Sequence, residues 1–303
     1  MRVVSLIASS TEIICALGFE KNLVGRSHEC DYPSSVKQLR QVTKPQFDTV
    51  GTSCEIDDRV KNLVRNALSV YEVELETLRE LQPDVIVTQS QCEVCAVSLK
   101  DVEAAVEGWL GAKPQIVSLE PQALDDIWTD IQKVSTALGC IPQGDRLIST
   151  LKGRLSAVSR ITQRMDHHPR VALIEWIDPL MAAGNWMPEL VTLAGGVNLF
   201  GEAGKHSPWM RFEELVDSDP DVIIVSPCGF DIQRTVQEMP TLKAHPSWNA
   251  LRAVREGRVY VADGNQYFNR PGPRVLESAE ILAEIFFPEK CKFGHEGIGW
   301  IKG

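Results

Sequence analysis

Long hydrophobic runs are missing from this 303-residue sequence, which has no apolar stretch near the ~18 residues that a membrane-spanning helix needs. It also has no stripe rich in lysine and arginine, and its formal net charge is -10, so we expect no nucleic-acid partner. There is no Walker loop, no G-x-S-x-G, no H-E-x-x-H and no dinucleotide-binding fingerprint. These absences give no support to the common enzyme classes.

The N-terminus lacks the marks of an export signal. It reads as a strand, a loop and a helix, with one arginine, no basic leading segment and no small-residue cleavage site. Cys15 follows a glutamate and two isoleucines, which is a poor context for lipid attachment. We therefore expect a cytoplasmic protein. Because thiols stay reduced in that compartment, the eight cysteines favour metal binding, redox work or simple burial over disulfides.

One stretch of the sequence occurs twice. ELETLRELQPD at 74–84 resembles RFEELVDSDPD at 211–221, and each copy leads into an apolar strand. Strands that are apolar on both faces are typical of a parallel sheet covered by helices on both sides. Glu76 and Glu213 lie at the same offset before the repeated aspartate. The repeat predicts two similar lobes.

The order of elements predicts an α/β fold with two Rossmann-like lobes. We expect mostly parallel sheets, one long helix joining the lobes and a ligand cleft between them, since ligands of open α/β sheets bind beyond the carboxyl ends of the strands. The predicted divisions are an N-terminal lobe at 1–122, a helical linker at 123–168 and a C-terminal lobe at 169–303. The Gly-rich tail at 288–303 is expected to pack loosely, and Ser9 with Glu12 is expected to form a capping box that opens the first helix.

Several cysteines fall in predicted loops, most of them directly after strands. The C-x-x-C of Cys92 and Cys95 can chelate a metal, form a redox disulfide or cap a helix. Convergence of further thiols on one cleft would suit zinc, an iron–sulfur cluster, or direct coordination of a corrinoid cobalt or heme iron. Small buried cysteines without a ligand are the alternative. The candidate metal ligands are Cys30, Cys54, Cys92, Cys95, Cys228 and His28.

A series of segments in matching order carries a family resemblance. They are SLIASSTEIICALG, GRSHECDYP, LETLRELQPDVIV, a long central helix, RVALIEW, PWMRFEELVDSDPDVIIVS and NRPGPRVLE. Together they resemble the cobalamin- and siderophore-binding subset of periplasmic substrate-binding proteins, in which one helix joins two α/β lobes. The resemblance implies a ligand held between the lobes and an importer of the ATP-binding cassette type as partner. The missing export signal and the C-x-x-C depart from the family pattern.

The resemblance also implies which segments meet the ligand and the partner. Aromatic faces would suit a flat corrin ring, because they bury a large area at low entropic cost. Glu76 and Glu213 fall where family members place acids that meet transporter arginines, with two solvated helix acids as the alternative. The candidate ligand-binding residues are Ser9, Ser10, His28, Cys30, Tyr32, Cys92, Cys95, Glu175, Trp176, Trp186, Trp209, Cys228, Tyr267, Phe268 and Arg270.

Three functions stay open on the sequence, and we favour binding over catalysis. The first is a binding protein, with an importer permease as partner, that holds cobalamin or a related corrinoid, another tetrapyrrole or a metal chelate. The second is a cytoplasmic zinc, iron–sulfur or thiol-redox protein. The third is an unliganded scaffold or regulator. We expect a monomer.

Overall fold

Two compact units make up the chain in the computed structural model, which describes residues 1–65, 70–90, 99–107 and 113–303. The helices of the predicted linker, 123–168, are divided between the units. Unit 1 contains Met1–Gly51, Asp58–Pro121 and Asp125–Thr150, and unit 2 contains Thr52–Asp57, Gln122–Leu124 and Leu151–Gly303.

Strands and helices alternate along the first half of the chain, as the βα pattern of the sequence predicts. In chain order the elements are β1 (Val3–Ser5), α1 (Ala8–Ala16), β2 (Leu23–Arg26), β3 (Arg40–Gln41), β4 (Thr43–Pro45), α2 (Ser53–Arg65), β5 (Tyr71–Val73), α3 (Leu75–Leu81), β6 (Val85–Gln89), α4 (Leu99–Glu107), β7 (Gln115–Leu119), α5 (Leu124–Ala137) and α6 (Ile141–Thr162).

The second half of the chain repeats this alternation with several shorter elements. In chain order these are β8 (Arg170–Trp176), β9 (Met181–Ala182), α7 (Met187–Leu193), β10 (Val197–Asn198), α8 (Phe212–Ser218), β11 (Val222–Val225), α9 (Ile232–Lys243), α10 (Arg252–Arg255), β12 (Val259–Ala262), α11 (Val275–Phe286) and β13 (Trp300–Lys302).

A parallel sheet forms the core of unit 1. In the described part of this unit its five strands follow the order β3-β2-β1-β6-β7, and β4 pairs with β5 in a separate antiparallel ribbon. Val4 and Ile86 of the central strands are fully buried and pack with Leu78 of α3 and Val102 of α4. Apolar strands covered by helices are the arrangement that the sequence predicts.

The sheet of unit 2 is mostly parallel. Among the residues described there, its strands follow the order β10-β8-β11-β12-β13, with β9 paired to β8. The pairs β8–β9 and β12–β13 are antiparallel, and the others are parallel. Ile174 of β8, Ile223 of β11 and Val261 of β12 are fully buried and pack with Leu242 of α9. The prediction of mostly parallel sheets is confirmed.

The repeated stretch folds in the same way in both units. After α3, Gln82 takes a left-handed backbone conformation with φ of 41°, and after α8, Asp219 does so with φ of 39°. Pro83 and Pro220 follow directly, and proline cannot continue a helix. In each copy, a residue in the left-handed conformation followed by proline therefore ends the helix and leads the chain into the strand.

The repeated aspartate has the same contact in both copies. Asp84 accepts a hydrogen bond from the backbone N–H of Arg2 at 2.6 Å, and Asp221 accepts one from that of Arg170 at 2.8 Å. In unit 1 the bond joins the residue before β6 to the residue before β1. In unit 2 it joins the residue before β11 to the start of β8, and in both units the two strands are parallel neighbours. The recurrence of Pro-Asp in the sequence thus reflects a recurring contact.

The first helix begins differently from the prediction. Helix α1 starts at Ala8 with Ile7 as its N-cap, and no side chain caps it, so the predicted capping box of Ser9 and Glu12 is wrong. Ser9 and Ser10 are buried in the first turn.

The C-terminal tail is ordered, so the prediction of loose packing at 288–303 is wrong. Residues Trp300–Lys302 form β13 against β12. The carboxylate of Glu284 accepts hydrogen bonds from the indole N–H of Trp300 at 2.8 Å and from the backbone N–H of Gly294 at 2.6 Å. A buried carboxylate that collects several N–H donors fixes the tail against α11.

The long helix predicted between the lobes is α6, which belongs to unit 1 up to Thr150 and to unit 2 from Leu151. Its narrow apolar stripe includes Leu151, Leu155 and Val158, all buried. Within the described ranges, no helix combines the length and the apolar character needed to cross a bilayer.

Candidate functional site

In unit 1, candidate residues gather where β1 and β2 end. The backbone N–H of Ser27, just after β2, donates to the carbonyl of Ser5, the last residue of β1, at 2.8 Å. The hydroxyl of Ser10 lies 2.6 Å from Ser5 Oγ, and the buried Cys30 thiol donates to the Ser5 carbonyl at 3.9 Å. Tyr32 is 46% exposed. The structure therefore brings Ser10 and Cys30 together around Ser5, with both side chains buried.

His28 lies in the same loop and is held on two sides. Its Nδ1 is 2.8 Å from Thr43 Oγ1, and its ring lies 5.0 Å from that of Tyr71 with an interplanar angle of 45°. Burial, with a smaller contribution from the charge of Arg26, lowers the pKa of His28 to about 4. The imidazole is therefore neutral at physiological pH, which suits an acceptor or a metal ligand.

Arg26 supports this loop, and sequence reasoning missed it. Its buried guanidinium donates to the carbonyls of Ser27 at 2.9 Å, His28 at 3.3 Å and Lys37 at 3.1 Å. Three charge-assisted bonds, two to the adjacent carbonyls of Ser27 and His28 and one to that of Lys37 further along the loop, hold the backbone after β2 in one shape. An arginine at the last position of an otherwise apolar strand is the signal that would have pointed to it.

In unit 2, candidate residues gather at the end of β8. The hydroxyl of Ser207 donates to Glu175 Oε2 at 2.9 Å and accepts from the backbone N–H of Gly184 at 3.0 Å. The backbone N–H of Cys228 donates to the Glu175 carbonyl at 3.1 Å. Glu175 and Trp176 are the last two residues of β8 and Cys228 follows β11, so the three are neighbours at the same edge of the parallel sheet.

An aromatic ring and a cation adjoin this group. The ring of Phe230 lies 5.2 Å from that of Trp176, and the guanidinium of Arg234 lies 4.7 Å from the Phe230 centroid. Arg234 also pairs with Glu238 at 2.9 Å. Sequence reasoning missed Phe230 and Arg234. The signal for Phe230 is its place two residues after Cys228, in the loop that follows an apolar strand.

The loop after β12 contributes a second set of candidates. Arg270 is buried and donates to Asn265 Oδ1 at 3.0 Å, and the backbone N–H of Asn265 donates to the carbonyl of Phe230 at 3.0 Å. The second bond joins the loops after β11 and β12, and the first braces the loop after β12 internally. Tyr267 and Phe268 lie in a π-helical turn with exposures of 9% and 1%, so Phe268 is part of the core.

The two remaining tryptophan candidates have opposite environments. Trp186, which precedes α7, is 6% exposed. Trp209 is 53% exposed, and its backbone forms an isolated antiparallel bridge with Met181. Only Trp209 of this pair offers a wide indole face to a ligand.

The cysteine candidates do not form a metal site in the part of the chain that the structure describes. Cys30 is buried in unit 1, while Cys54 is exposed and Cys228 half-buried in unit 2. Cys92 and Cys95 lie outside the described residues. Within those ranges, no group of three His, Cys, Asp or Glu side chains is arranged to hold a metal ion. The prediction of zinc or an iron–sulfur cluster is therefore not supported.

The two acidic candidates for partner docking lie at equivalent places. Glu76 is in the first turn of α3 and Glu213 in the first turn of α8. Glu213 is exposed, and the Glu76 side chain is 83% exposed with its carboxylate 2.9 Å from Arg79. Acidic side chains are favoured at helix N-termini by the helix dipole, and this pair is also open to solvent.

Comparison with known sequences gives a family and several relatives. The family model described as "Periplasmic binding protein" matches residues 3–265. The chain is 22% identical to an uncharacterized ABC transporter substrate-binding lipoprotein, YvrC, of Bacillus subtilis, over 96% of this chain and 81% of that protein. It is 25% identical to the vitamin B12-binding protein of Vibrio cholerae, over 92% of this chain and 86% of that protein.

Solved structures with the same fold include binding proteins for two kinds of tetrapyrrole-like ligand. The periplasmic heme-binding protein RhuT of Roseiflexus sp. RS-1 superposes with a TM-score of 0.71 at 21% identity, covering 95% of this chain and 98% of that one. The periplasmic vitamin B12-binding protein BtuF of Vibrio cholerae gives a TM-score of 0.66 at 22% identity, covering 94% and 96%. The predicted fold class and the family resemblance are confirmed.

The predicted cytoplasmic location is wrong. The family model that matches residues 3–265 describes periplasmic binding proteins. The similar proteins include a lipoprotein and a periplasmic vitamin B12-binding protein. These findings indicate a location outside the cytoplasm. The prediction failed because it relied on the absence of a leader from the sequence as given.

Proposed function

The chain belongs to the periplasmic binding protein family, and we propose that it is the substrate-binding component of an ATP-binding cassette importer whose cargo is a corrinoid or another metal-containing tetrapyrrole. The proposal is a binding function rather than catalysis. It draws on relatives named vitamin B12-binding proteins and on structural neighbours that bind heme.

The single observation that carries the choice of cargo is the exposed indole of Trp209. A large flat apolar ring that is 53% exposed has lost little water on folding, and covering it with another flat ring would be favourable. In the same unit, the half-buried Trp176 adds aromatic surface. The Phe230 ring behind it is only 6% exposed, and Arg234 places a positive charge against that ring. Flat rings with anionic or amide side groups match such a set of contacts.

The proposal extends to the partner. Glu76 and Glu213 are exposed acids at equivalent positions of the duplicated helix, and we infer that they meet basic side chains of the importer permease. Support comes from the recurrence of the acid in both copies of the repeat. In the alternative view they are only favourable helix-start residues.

The test is a titration of the purified protein with cyanocobalamin and with hemin, followed by tryptophan fluorescence and visible absorbance. We expect saturable binding of at least one of them. Trp209→Ala should weaken it about 10-fold, which corresponds to about 1.4 kcal/mol. Phe293→Ala is the matched control, because Phe293 is another aromatic residue that is 37% exposed. The proposal is abandoned if neither compound binds.

A further inference from the structure

The hydroxyl of Thr43 determines which nitrogen of His28 carries the proton. Thr43 Oγ1 donates to Ser27 Oγ at 3.2 Å, accepts from the backbone N–H of His28 at 3.1 Å, and lies 2.8 Å from His28 Nδ1. A hydroxyl has one donor and two acceptor sites. Since its hydrogen points to Ser27, Thr43 can only accept from Nδ1. In the neutral imidazole, Nδ1 therefore carries the hydrogen and Nε2 carries a lone pair.

No hydrogen bond among the described residues uses this lone pair. Among the residues that the structure describes, the nearest charged atom is Glu29 Oε1, 3.9 Å from Nε2, which is too far for a hydrogen bond. The His28 side chain keeps 19% of its surface exposed, so a ligand can approach it. Histidines that bind metals use a neutral ring nitrogen and donate their other N–H to a fixed acceptor. His28 and Thr43 meet both conditions.

The surroundings of His28 hold its ring in place. The Tyr71 ring packs against the imidazole at 5.0 Å, and the buried Tyr71 donates through its hydroxyl to Glu29 Oε1 at 3.1 Å. Arg26 fixes the loop backbone by donating to the His28 carbonyl at 3.3 Å. A ligating group that is locked by packing and by outer hydrogen bonds binds without a large ordering cost. The Glu29 carboxylate also places negative charge near the position of a metal cation.

We propose that Nε2 of His28 coordinates the metal of the cargo, which narrows the cargo to a metal chelate with an open axial position. This inference rests on the proposed function. Heme iron, and the cobalt of a corrinoid that lacks its own lower base, have such a position. A metal whose coordination sphere is filled by siderophore oxygens does not. In the binding step, Nε2 donates its lone pair to the metal, any water held at that axial position leaves, and no atom changes its oxidation state.

The first test is made on the wild-type protein, and a variant serves only to assign its signals. The 15N NMR spectrum of the unliganded protein distinguishes a protonated from an unprotonated ring nitrogen, and His28→Gln identifies the His28 signals by their loss. We expect a proton on Nδ1 and none on Nε2. A proton on Nε2 would overturn the inference, because that nitrogen then has no lone pair to give.

The second test compares three probes: hemin, diaquocobinamide and metal-free protoporphyrin IX. For whichever of hemin and diaquocobinamide resembles the cargo, His28→Ala should lower the binding affinity at least about 10-fold and remove the signs of nitrogen ligation from the visible spectrum. The affinity for protoporphyrin IX, which has no metal, should stay unchanged. Comparing hemin with diaquocobinamide shows whether the cargo contains iron or cobalt. If hemin or cobinamide binds wild type and His28→Ala with equal affinity and equal spectra, the inference fails while the proposed function stands. If none of the three probes binds, the inference fails, and the proposed function then stands only if cyanocobalamin binds.

The third test separates ligation from a structural role by a matched pair at Thr43. Thr43→Val removes the hydroxyl that accepts from Nδ1, whereas Thr43→Ser keeps it. We expect the valine variant to bind the metal probe about 10-fold more weakly, with a changed ligation spectrum, and the serine variant to behave as wild type. Equal affinities and spectra for the two variants would overturn the role of Thr43 and with it the assigned tautomer.

Discussion

At the scale of single residues, two tryptophans differ in how much they should contribute to the stability of the fold. Trp186 is 6% exposed and Trp209 is 53% exposed. Trp186→Ala should lower the free energy of unfolding by about 3–5 kcal/mol, because it leaves a cavity. Trp209→Ala should change it by no more than about 0.5 kcal/mol. Urea unfolding measures both, and a larger loss for Trp209→Ala would show that its ring supports the fold.

His28 gives the stability a defined pH dependence. Its pKa is lowered from 6.5 in the unfolded chain to about 4 by burial and then by Arg26. Between these two values the unfolded state binds more protons, so the stabilisation is complete above pH 6.5 and is lost as the pH falls toward 4. With about 1.4 kcal/mol for each pKa unit, the loss reaches about 3 kcal/mol. Urea unfolding at several pH values should show a flatter profile for His28→Gln.

His295 should change the pH dependence of stability in the direction opposite to His28, so it serves as a control. A hydrogen bond of 2.9 Å to Glu280 raises the pKa of His295, so its contribution is present below pH 6.5 and is lost as the pH rises through the folded-state value. His295→Gln should therefore reduce stability on the acid side of that range. If both variants shifted the profile in the same direction, the assigned environment of one of the two histidines would be wrong.

At the scale of elements, the sequence predicted those with a long or repeated pattern. The repeats at 74–84 and 211–221 were predicted to lead into apolar strands, and the structure has β6 and β11 there, both buried. Two- and three-residue strands such as β5 and β13 were missed because so few residues carry no readable period. Their positions depend on pairing with distant strands, which local sequence does not encode.

The candidate site was predictable only where a residue lies at the carboxyl end of a strand or shortly after it. Glu175, Trp176 and Cys228 meet because adjacent parallel strands end at one edge. Arg26 and Thr43 were not predicted, since their roles come from hydrogen bonds to a loop that is formed by tertiary folding. The tautomer of His28 is a consequence of those bonds and has no signature in the sequence.

The two copies of the repeated aspartate allow a matched comparison. Asp221 is buried, accepts from the backbone of Arg170 and pairs with Arg252 at 2.6 Å, whereas the Asp84 side chain is 58% exposed. Asp221→Ala should cost about 2–3 kcal/mol of unfolding free energy, since hydrogen bonds to charged groups are lost from a buried position. Asp84→Ala should cost about 1 kcal/mol or less. Urea midpoints of the two variants measure the difference, and equal losses would contradict this account.

At the scale of the whole molecule, charge bears on the proposed encounter with an importer. The chain has a formal net charge of -10, so a basic surface on the partner would attract it over a distance of about one Debye length, which is about 8 Å at physiological ionic strength. Rim charges of this kind act mainly on association rate and on its salt dependence. Two exposed acids at equivalent helix starts would then set the register of docking.

Charge reversal at those two acids tests this part of the proposal. Glu76→Lys together with Glu213→Lys should reduce ligand uptake at least about 10-fold in proteoliposomes that contain the importer of the same organism, because like charges then face each other. Ligand affinity in solution should stay unchanged. Glu103→Lys, an exposed acid of α4, should leave uptake near wild type. Raising the salt concentration should slow uptake with wild type and narrow its advantage over the double variant, since screening weakens attraction and repulsion alike. Uptake by the double variant equal to that of wild type would assign the two glutamates to helix capping alone.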